Sequence, residues 1–360
     1  MAFYNEKIKA IHLEVTDHCN ASCPQCSRNK LGGAVNPHLP KKELSLEDIK
    51  TIIPPEYVKG LKRLYMCGNY GDPIVAKDTL EIFQYLRSEN SDMNLAMNTN
   101  ASARDENWWR ILGETFGERG NVKFGIDGLE DTHAIYRRKT DFNKIIRNAK
   151  VFIDAGGKAQ WEFIVFRHNE HQVEDARELS LKLGFEKFTV KKTGRFFSNS
   201  KVMVNEHQEV HKEDGSIDYL IHKPTIQKYQ NKSLNKELKI IEEFGSMNDY
   251  LDQTDVKCKT ANESSIYISS EGLIFPCCWT ANQMYLWYIH PESGQMWDLL
   301  RGLGGKEAIN GKKQTIDSII NGDFFIALKA RWSCSSVKDG KLKVCAKTCG
   351  TLFDQFKDQY

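Results

Sequence analysis

The sequence predicts an α/β chain: a partial (β/α)6 TIM-like barrel over residues 1–194, a connector over 195–257, and a small α+β domain over 258–360. Three observations carry that prediction. Strand-like and helix-like segments alternate through the first half, the alternation stops near residue 191, and six of the ten cysteines lie between 258 and 349. Alternating strands and helices imply a parallel sheet. Six such units with right-handed crossovers close most of a barrel, and functional residues then gather at the C-terminal ends of its strands.

The strand-like runs are IKAIHLEVT (8–16), KRLYMC (62–67), MNLAMN (93–98), NVKFGI (121–126), KAQWEFIVF (158–166) and EKFTV (186–190). Between them, TLEIFQYLRSE (79–89), FNKIIRNAKVFIDAG (142–156) and VEDARELSLKLG (173–184) place apolar residues three and four apart, and two of these runs end in glycine. Residues 195–256 are polar and lysine-rich, which predicts a connector with one or two helices, either a solvated linker or a partial cover for the barrel mouth. In SSIYISSEGLIFPCC (264–278), two short strands flank Ser270-Glu271-Gly272, a hairpin signal. The aromatic run at 279–297 is expected in the core rather than along a pocket, and TIDSIINGDFFIALKARW (315–332) reads as a helix.

A chain of 360 residues, 40% hydrophobic, can bury a sizeable core. Its 50 basic and 48 acidic residues leave a net charge of +2, so there is no electrostatic case for a nucleic-acid partner or an anionic membrane. No apolar stretch approaches the ~18 residues of a membrane span, and no secretory signal is visible. The expected location is cytoplasmic, where ten cysteines mean metal or redox chemistry rather than disulfides.

The first predicted strand runs into Cys19-x3-Cys23-x2-Cys26. A compact loop of this spacing can present three thiolates to three corners of an iron–sulfur cubane, leaving the fourth iron open. An open coordination position is the mark of a catalytic metal centre; the alternative is a structural zinc knuckle.

These residues resemble the cluster motif of the radical S-adenosylmethionine (SAM) superfamily. The resemblance implies a [4Fe–4S] cluster on Cys19, Cys23 and Cys26 that binds SAM at its open iron. Reductive cleavage then forms a 5′-deoxyadenosyl radical, which abstracts hydrogen from a substrate. The family commonly has an aromatic residue before the third cysteine; here it is Gln25. Three further stretches are similar to family motifs. Tyr70-Gly71-Asp72-Pro73 resembles Gly-Gly-Glu-Pro, implying that Gly71 lets backbone approach the methionine part of SAM. Asp72 would accept from its ammonium group, although the shorter acid favours a backbone contact. Asn98-Thr99-Asn100 is similar to Thr-Asn-Gly, implying that Asn98 and Asn100 lie near the SAM ribose or the cofactor's edge. Gly125-Ile126-Asp127-Gly128, followed by His133 and Arg137, resembles the family's Ser-Ile-Asp-Gly stretch. It implies cofactor contacts from Asp127 and Arg137, with Arg137 forking the SAM carboxylate. Cys67 reads as a buried small hydrophobe. Glu14, Asp17 and His18 lie by the cluster loop without an assignable role.

The C-terminal cysteines resemble the SPASM and Twitch auxiliary-cluster domains: Cys258, then Gly272 and Cys277, then Cys345 and Cys349. Six cysteines rather than the seven of SPASM favour Twitch. This implies one auxiliary [4Fe–4S] cluster on Cys258, Cys277, Cys345 and Cys349, with Cys334 as the substitute ligand. Cys278 is expected to face away, because adjacent strand residues point to opposite sides; structural zinc is the alternative occupant. The resemblance covers residues 8 to about 190 and 258 to the end. It further implies a low-potential electron donor such as flavodoxin or ferredoxin. The substrate would be a small molecule or a peptide. The competing reading is a non-catalytic iron–sulfur or zinc redox sensor.

Overall fold

The computed structural model describes residues 2–198 and 203–352, so residues 199–202 of the expected connector and 353–360 of the expected C-terminal domain lie outside the described residues. Six parallel strands stand in sequence order in one sheet: β1 (Ala10–Leu13), β2 (Arg63–Met66), β3 (Asn94–Thr99), β4 (Gly120–Gly125), β5 (Lys158–Val165) and β6 (Lys187–Lys192). The first run is shorter than the sequence suggests. Only residues 10–13 enter the ladder, and the chain from Glu14 onward leaves the sheet to build the cysteine loop.

Alternation along the strands decides what faces the helices. On β5, Ala159, Trp161, Phe163 and Val165 are fully buried, while Gln160, Glu162 and Ile164 between them are only partly so. The outer face is covered by α3 (Thr79–Glu89), α4 (Glu106–Phe116), α6 (Phe142–Asp154) and α7 (Val173–Leu183), which follow α1 (Leu46–Ile52) and α2 (Pro55–Val58), with α5 (His133–Tyr136) a single turn. Phe124 of β4 meets Trp109 of α4 and Phe152 of α6. α4 was not read from the sequence, although its signals are present. Asp105 caps it by accepting from the Trp108 N–H at 2.9 Å, and Trp109, Leu112 and Phe116 recur at helical spacing.

The expected connector is largely a folded wall. It contains the paired strands β7 (Phe197–Ser198) and β8 (Met203–Val204), a hairpin of β9 (His207–His211) and β10 (Ile217–His222), and then α8 (Ser233–Phe244) and α9 (Met247–Gln253). The two helices match the expected connector; the polar composition hid the hairpin, because it buries only one face. Val210 and Ile221 join Phe196 in an apolar cluster with Ala21, Cys23, Tyr136 and Phe166.

The C-terminal hairpin forms as predicted, but its place in the fold was not foreseeable. After α10 (Lys259–Asn262), β11 (Ser265–Ile268) pairs in parallel with β1, and β12 (Ile274–Phe275) pairs antiparallel with β11, extending the barrel sheet to eight strands. Gly272 takes the positive φ of +84° that the turn requires. Past α11 (Cys278–Asn282) and α12 (Gln295–Arg301), the helix expected over 315–332 breaks at Asn321-Gly322 into α13 (Ile316–Ile320) and α14 (Asp323–Ala330). α15 (Lys343–Cys349) follows. No helix among the described residues is long and apolar enough to cross a membrane.

Candidate active site at the barrel mouth

The loop after β1 folds on itself in consecutive turns. The Cys26 N–H donates to the Cys23 carbonyl and the Asn29 N–H to the Cys26 carbonyl, each at 3.1 Å. Cys23 is buried, and burial pushes its thiol up to about 11; Cys19 is also pushed up. N–H groups nevertheless converge on these sulfurs. The Ala21 N–H lies 3.3 Å from Cys19 Sγ, Asn100 Nδ2 3.7 Å from the same sulfur, and Arg137 Nη1 4.0 Å from Cys23 Sγ. Buried sulfurs ringed by donors suit thiolates bound to a cationic centre.

The loop after β2 is locked beneath the cysteines. Glu14 is buried, and its Oε1 accepts from the Tyr70 N–H at 2.7 Å and the Gly71 N–H at 3.0 Å, while Oε2 accepts from the Tyr267 hydroxyl of β11. Gly71 is required by packing: a Cβ there would sit 1.8 Å from the Thr16 carbonyl oxygen. Asp72 is likewise committed within the chain. Its carboxylate accepts from the Thr99 hydroxyl at 2.8 Å, the Asn100 N–H at 2.7 Å and the Ile74 N–H at 3.2 Å, tying the β2 and β3 loops together. Asn100 reaches Asn20 Oδ1 at 2.9 Å, and Asn98 points to Cys67 Sγ at 3.5 Å. Cys67, whose thiol burial pushes up, thus has Asn98 as a polar neighbour at the strand end.

Beyond β4, Arg137 Nε donates to Asp127 Oδ2 at 2.6 Å, and the other Asp127 oxygen accepts from the Ile164 N–H at 2.5 Å. Asp127 is fully buried, so this ion pair is part of the fold as well as of the mouth. A Cβ on Gly125 would lie 2.5 Å from Arg137 Nη2, so the glycine that replaces the family's serine makes room for the guanidinium. His133 accepts from the Asp127 N–H at 3.3 Å, and burial depresses it to about 3, leaving it neutral.

Gln25 has a role that sequence reasoning missed. Its Oε1 accepts from Thr193 at 2.8 Å, its Nε2 donates to Gln208 Oε1 at 3.2 Å, and its carbonyl accepts from Arg195. Gln208 returns a bond to the Pro24 carbonyl at 3.1 Å. The amide thus clasps the hairpin wall onto the cysteine loop, a task an aromatic ring could not perform. Beside it a polar cavity is lined by Cys26, Asn69, Arg195, Gln208, Trp279 and Trp287, among others. The aromatic run therefore divides: Trp279 and Trp287 line this cavity, whereas Tyr285 and Trp297 belong to the core.

Residues 13–180 match the family described as the Radical SAM superfamily. The barrel is a radical SAM domain. A GTP 3',8-cyclase of Desulforamulus reducens is 26% identical over 148 residues, covering 40% of this chain and 42% of that protein. The Cronobacter sakazakii enzyme of the same name is 28% identical over 179 residues, covering 48% and 51%. The chain spans about half the length of these curated relatives. Among solved structures, Streptococcus suis SuiB superposes with a TM-score of 0.56 at 12% identity over 95% of this chain and 73% of its own. The protein anSMEcpe with bound AdoMet gives 0.54 at 14% identity over 98% and 87%. These likenesses establish the fold.

A radical SAM domain takes a [4Fe–4S] cluster and SAM, and the donor set at the mouth of this one suits them. At the flank of the radical SAM barrel, Cys258, Cys277, Cys345 and Cys349 line one small cavity. Cys258 precedes α10, Cys277 caps α11, and Cys345 and Cys349 sit four apart on one face of α15. The free Cys349 thiol donates a hydrogen bond to Cys258 and so holds the Cys258 thiol below its usual range. The buried Trp332 Nε1–H makes no hydrogen bond and lies beside Cys345. The thiols are spread around the cavity: among the described residues, no three His, Cys, Asp or Glu side chains converge on a point that would hold a single metal ion. Cys334 is not in the lining. Cys278 opens α11 rather than continuing a strand, and it packs against the main core, where burial pushes its thiol up. Trp279 belongs to the walls of both cavities.

Proposed function

We propose that this chain is a radical SAM enzyme that generates a substrate radical by hydrogen abstraction. The observation that carries the reading is the set of cysteine sulfurs at the mouth of a radical SAM barrel with N–H donors aimed at Cys19 and Cys23. Cys19, Cys23 and Cys26 hold the cluster. With SAM bound, that group supplies a 5′-deoxyadenosyl radical once an electron is delivered. The chain's own residues prepare the site. Glu14 and Asp72 fix the Tyr70–Asp72 loop, so SAM meets its backbone rather than the Asp72 carboxylate, whose oxygens already accept three hydrogen bonds. Asn98 and Asn100 present amides on the same side, and Arg137, held by Asp127, offers its remaining guanidinium protons to the SAM carboxylate. Cys258, Cys277, Cys345 and Cys349 hold an auxiliary [4Fe–4S] cluster. A low-potential protein of the flavodoxin or ferredoxin class donates the electron, and the substrate is a small molecule or a peptide. The neighbouring SuiB has been solved bound to a precursor peptide.

The test is anaerobic reconstitution with iron and sulfide, followed by SAM and dithionite. Wild type should carry about eight irons and release 5′-deoxyadenosine; a Cys19/Cys23/Cys26 triple alanine variant should carry about four and release none. A fully loaded wild type that never cleaves SAM would move the assignment to an iron–sulfur sensor.

A further inference from the structure

The cavity beside Gln25 holds a donor that the fold leaves unused. Asn29 is 3% exposed and belongs to the cavity wall, yet its Nδ2 makes no hydrogen bond to any described residue. Its backbone is held separately: the N–H donates to the Cys26 carbonyl at 3.1 Å, and the residue bridges to Val35 across the loop. An unmet buried amide carries its full desolvation cost, and a ligand that brings an acceptor relieves it. The same wall contains Arg195 and, among the described residues, no Asp or Glu. One arm of the Arg195 guanidinium is spent on the Gln25 carbonyl, and the fork keeps further N–H donors. Neighbouring amides are committed. Asn69 Nδ2 donates to the Cys278 carbonyl at 2.9 Å, Gln25 bonds Thr193 and Gln208, and Gln208 bonds the Pro24 carbonyl. These bonds order the wall, while Asn29 and Arg195 have capacity to spare.

Trp279 and Trp287 add flat apolar surface to the same wall. The volume is about 380 Å³, the small end of ligand cavities, which suits a small molecule rather than a folded partner. A guanidinium fork and a buried amide N–H are both answered by an oxyanion. Arg195 is the cation of the wall among the described residues, so a singly charged carboxylate is balanced there, whereas a phosphate dianion leaves charge unpaired. We infer that this cavity takes a small carboxylic acid, with its carboxylate on Arg195 and Asn29 and its apolar body against Trp279 and Trp287. Cys26 lines the cavity too, so the bound acid lies against the cysteine loop. Calling that acid the substrate rests on the radical SAM reading of the site.

The experiment is calorimetric titration of the anaerobically reconstituted full chain, in excess SAM, with phenylacetate and with its neutral analogue phenylacetamide. Wild type should bind the acid in the millimolar range or tighter and the amide about tenfold more weakly. Arg195→Gln should abolish that preference. Asn29→Leu should weaken binding of the acid about tenfold. In the ligand-free protein the same substitution should raise the urea midpoint, because it replaces an unmet buried amide by an apolar group of similar size. Weaker binding in a more stable protein is a combination that a folding defect cannot produce. The assignment is overturned if wild type does not bind the acid in that range, or binds acid and amide alike, or if either variant keeps wild-type affinity for the acid. It is also overturned if Asn29→Leu lowers the midpoint, or if the acid binds only when SAM is left out, which would give the cavity to SAM. Should the acid bind as expected while SAM is never cleaved, the carboxylate site stands and the enzymatic reading fails. Cleavage of SAM without binding of the acid separates them the other way.

Discussion

Glu14 makes the barrel's stability depend on pH in a direction opposite to most carboxylates. It is buried where β1, the Tyr70 loop and β11 meet, and desolvation raises its carboxyl from 4.5 to about 7 despite the Tyr267, Tyr70 and Gly71 donors that oppose the rise. A raised carboxyl favours the folded state below its ordinary pKa, and that contribution is lost as pH climbs to the folded value. The gap, at about 1.4 kcal/mol per pH unit, amounts to about 3 kcal/mol between pH ~4.5 and ~7. Glu14→Gln keeps the shape and the acceptor for both backbone N–H groups, and Tyr267 can accept from the new amide. Urea unfolding of the anaerobic protein should show the variant gaining about 2–3 kcal/mol on wild type between pH ~5 and ~8. Parallel stability profiles over that range would refute the reasoning, because Glu14 would then titrate like an exposed acid.

Gln25→Ala removes two side-chain hydrogen bonds that tie the cysteine loop to Gln208 of the hairpin wall and to Thr193 just after β6. It should cost about 2 kcal/mol and speed amide exchange in residues 207–211, with cluster absorbance bleaching faster in air. Asp127→Asn leaves the Arg137 guanidinium without its buried counter-charge, so a loss of about 3–5 kcal/mol is expected in denaturant melts, with weakened SAM binding. Gly71→Ala drives a Cβ to 1.8 Å from the Thr16 oxygen and should leave little soluble protein; normal yield and stability would show that the loop gives way. Cys345→Ser should lower the iron content of the reconstituted chain and Cys334→Ser should not, since only Cys345 lines the flank cavity.

Much of the candidate site was legible because its residues lie close together in sequence. Cys19, Cys23 and Cys26 share one loop, and the motifs after β2, β3 and β4 each follow a strand whose apolar run is visible. Their residues do meet at one mouth, but the detailed contacts differ from the expected ones. Asp72 and Arg137 are tied to Asn100 and Asp127 by bonds that no spacing announces. The four cysteines that the resemblance assigns to an auxiliary cluster line one cavity.

What the sequence by itself determined was local: strand runs, helix faces, the hairpin turn at Gly272 and the cysteine spacing, all set by near-neighbour sterics and periodicity. Tertiary structure alone decided which polar residues are interior. Lys123, Glu162 and Lys191 pair with one another inside the barrel, yet they look like surface residues on amphipathic strands, and so do Gln208 and the rest of the hairpin. On a strand, alternation separates two faces without saying which one meets solvent. Only closure of the sheet, with helices claiming the apolar face, turned the other face into a charged lumen and the polar hairpin into the wall over Cys23.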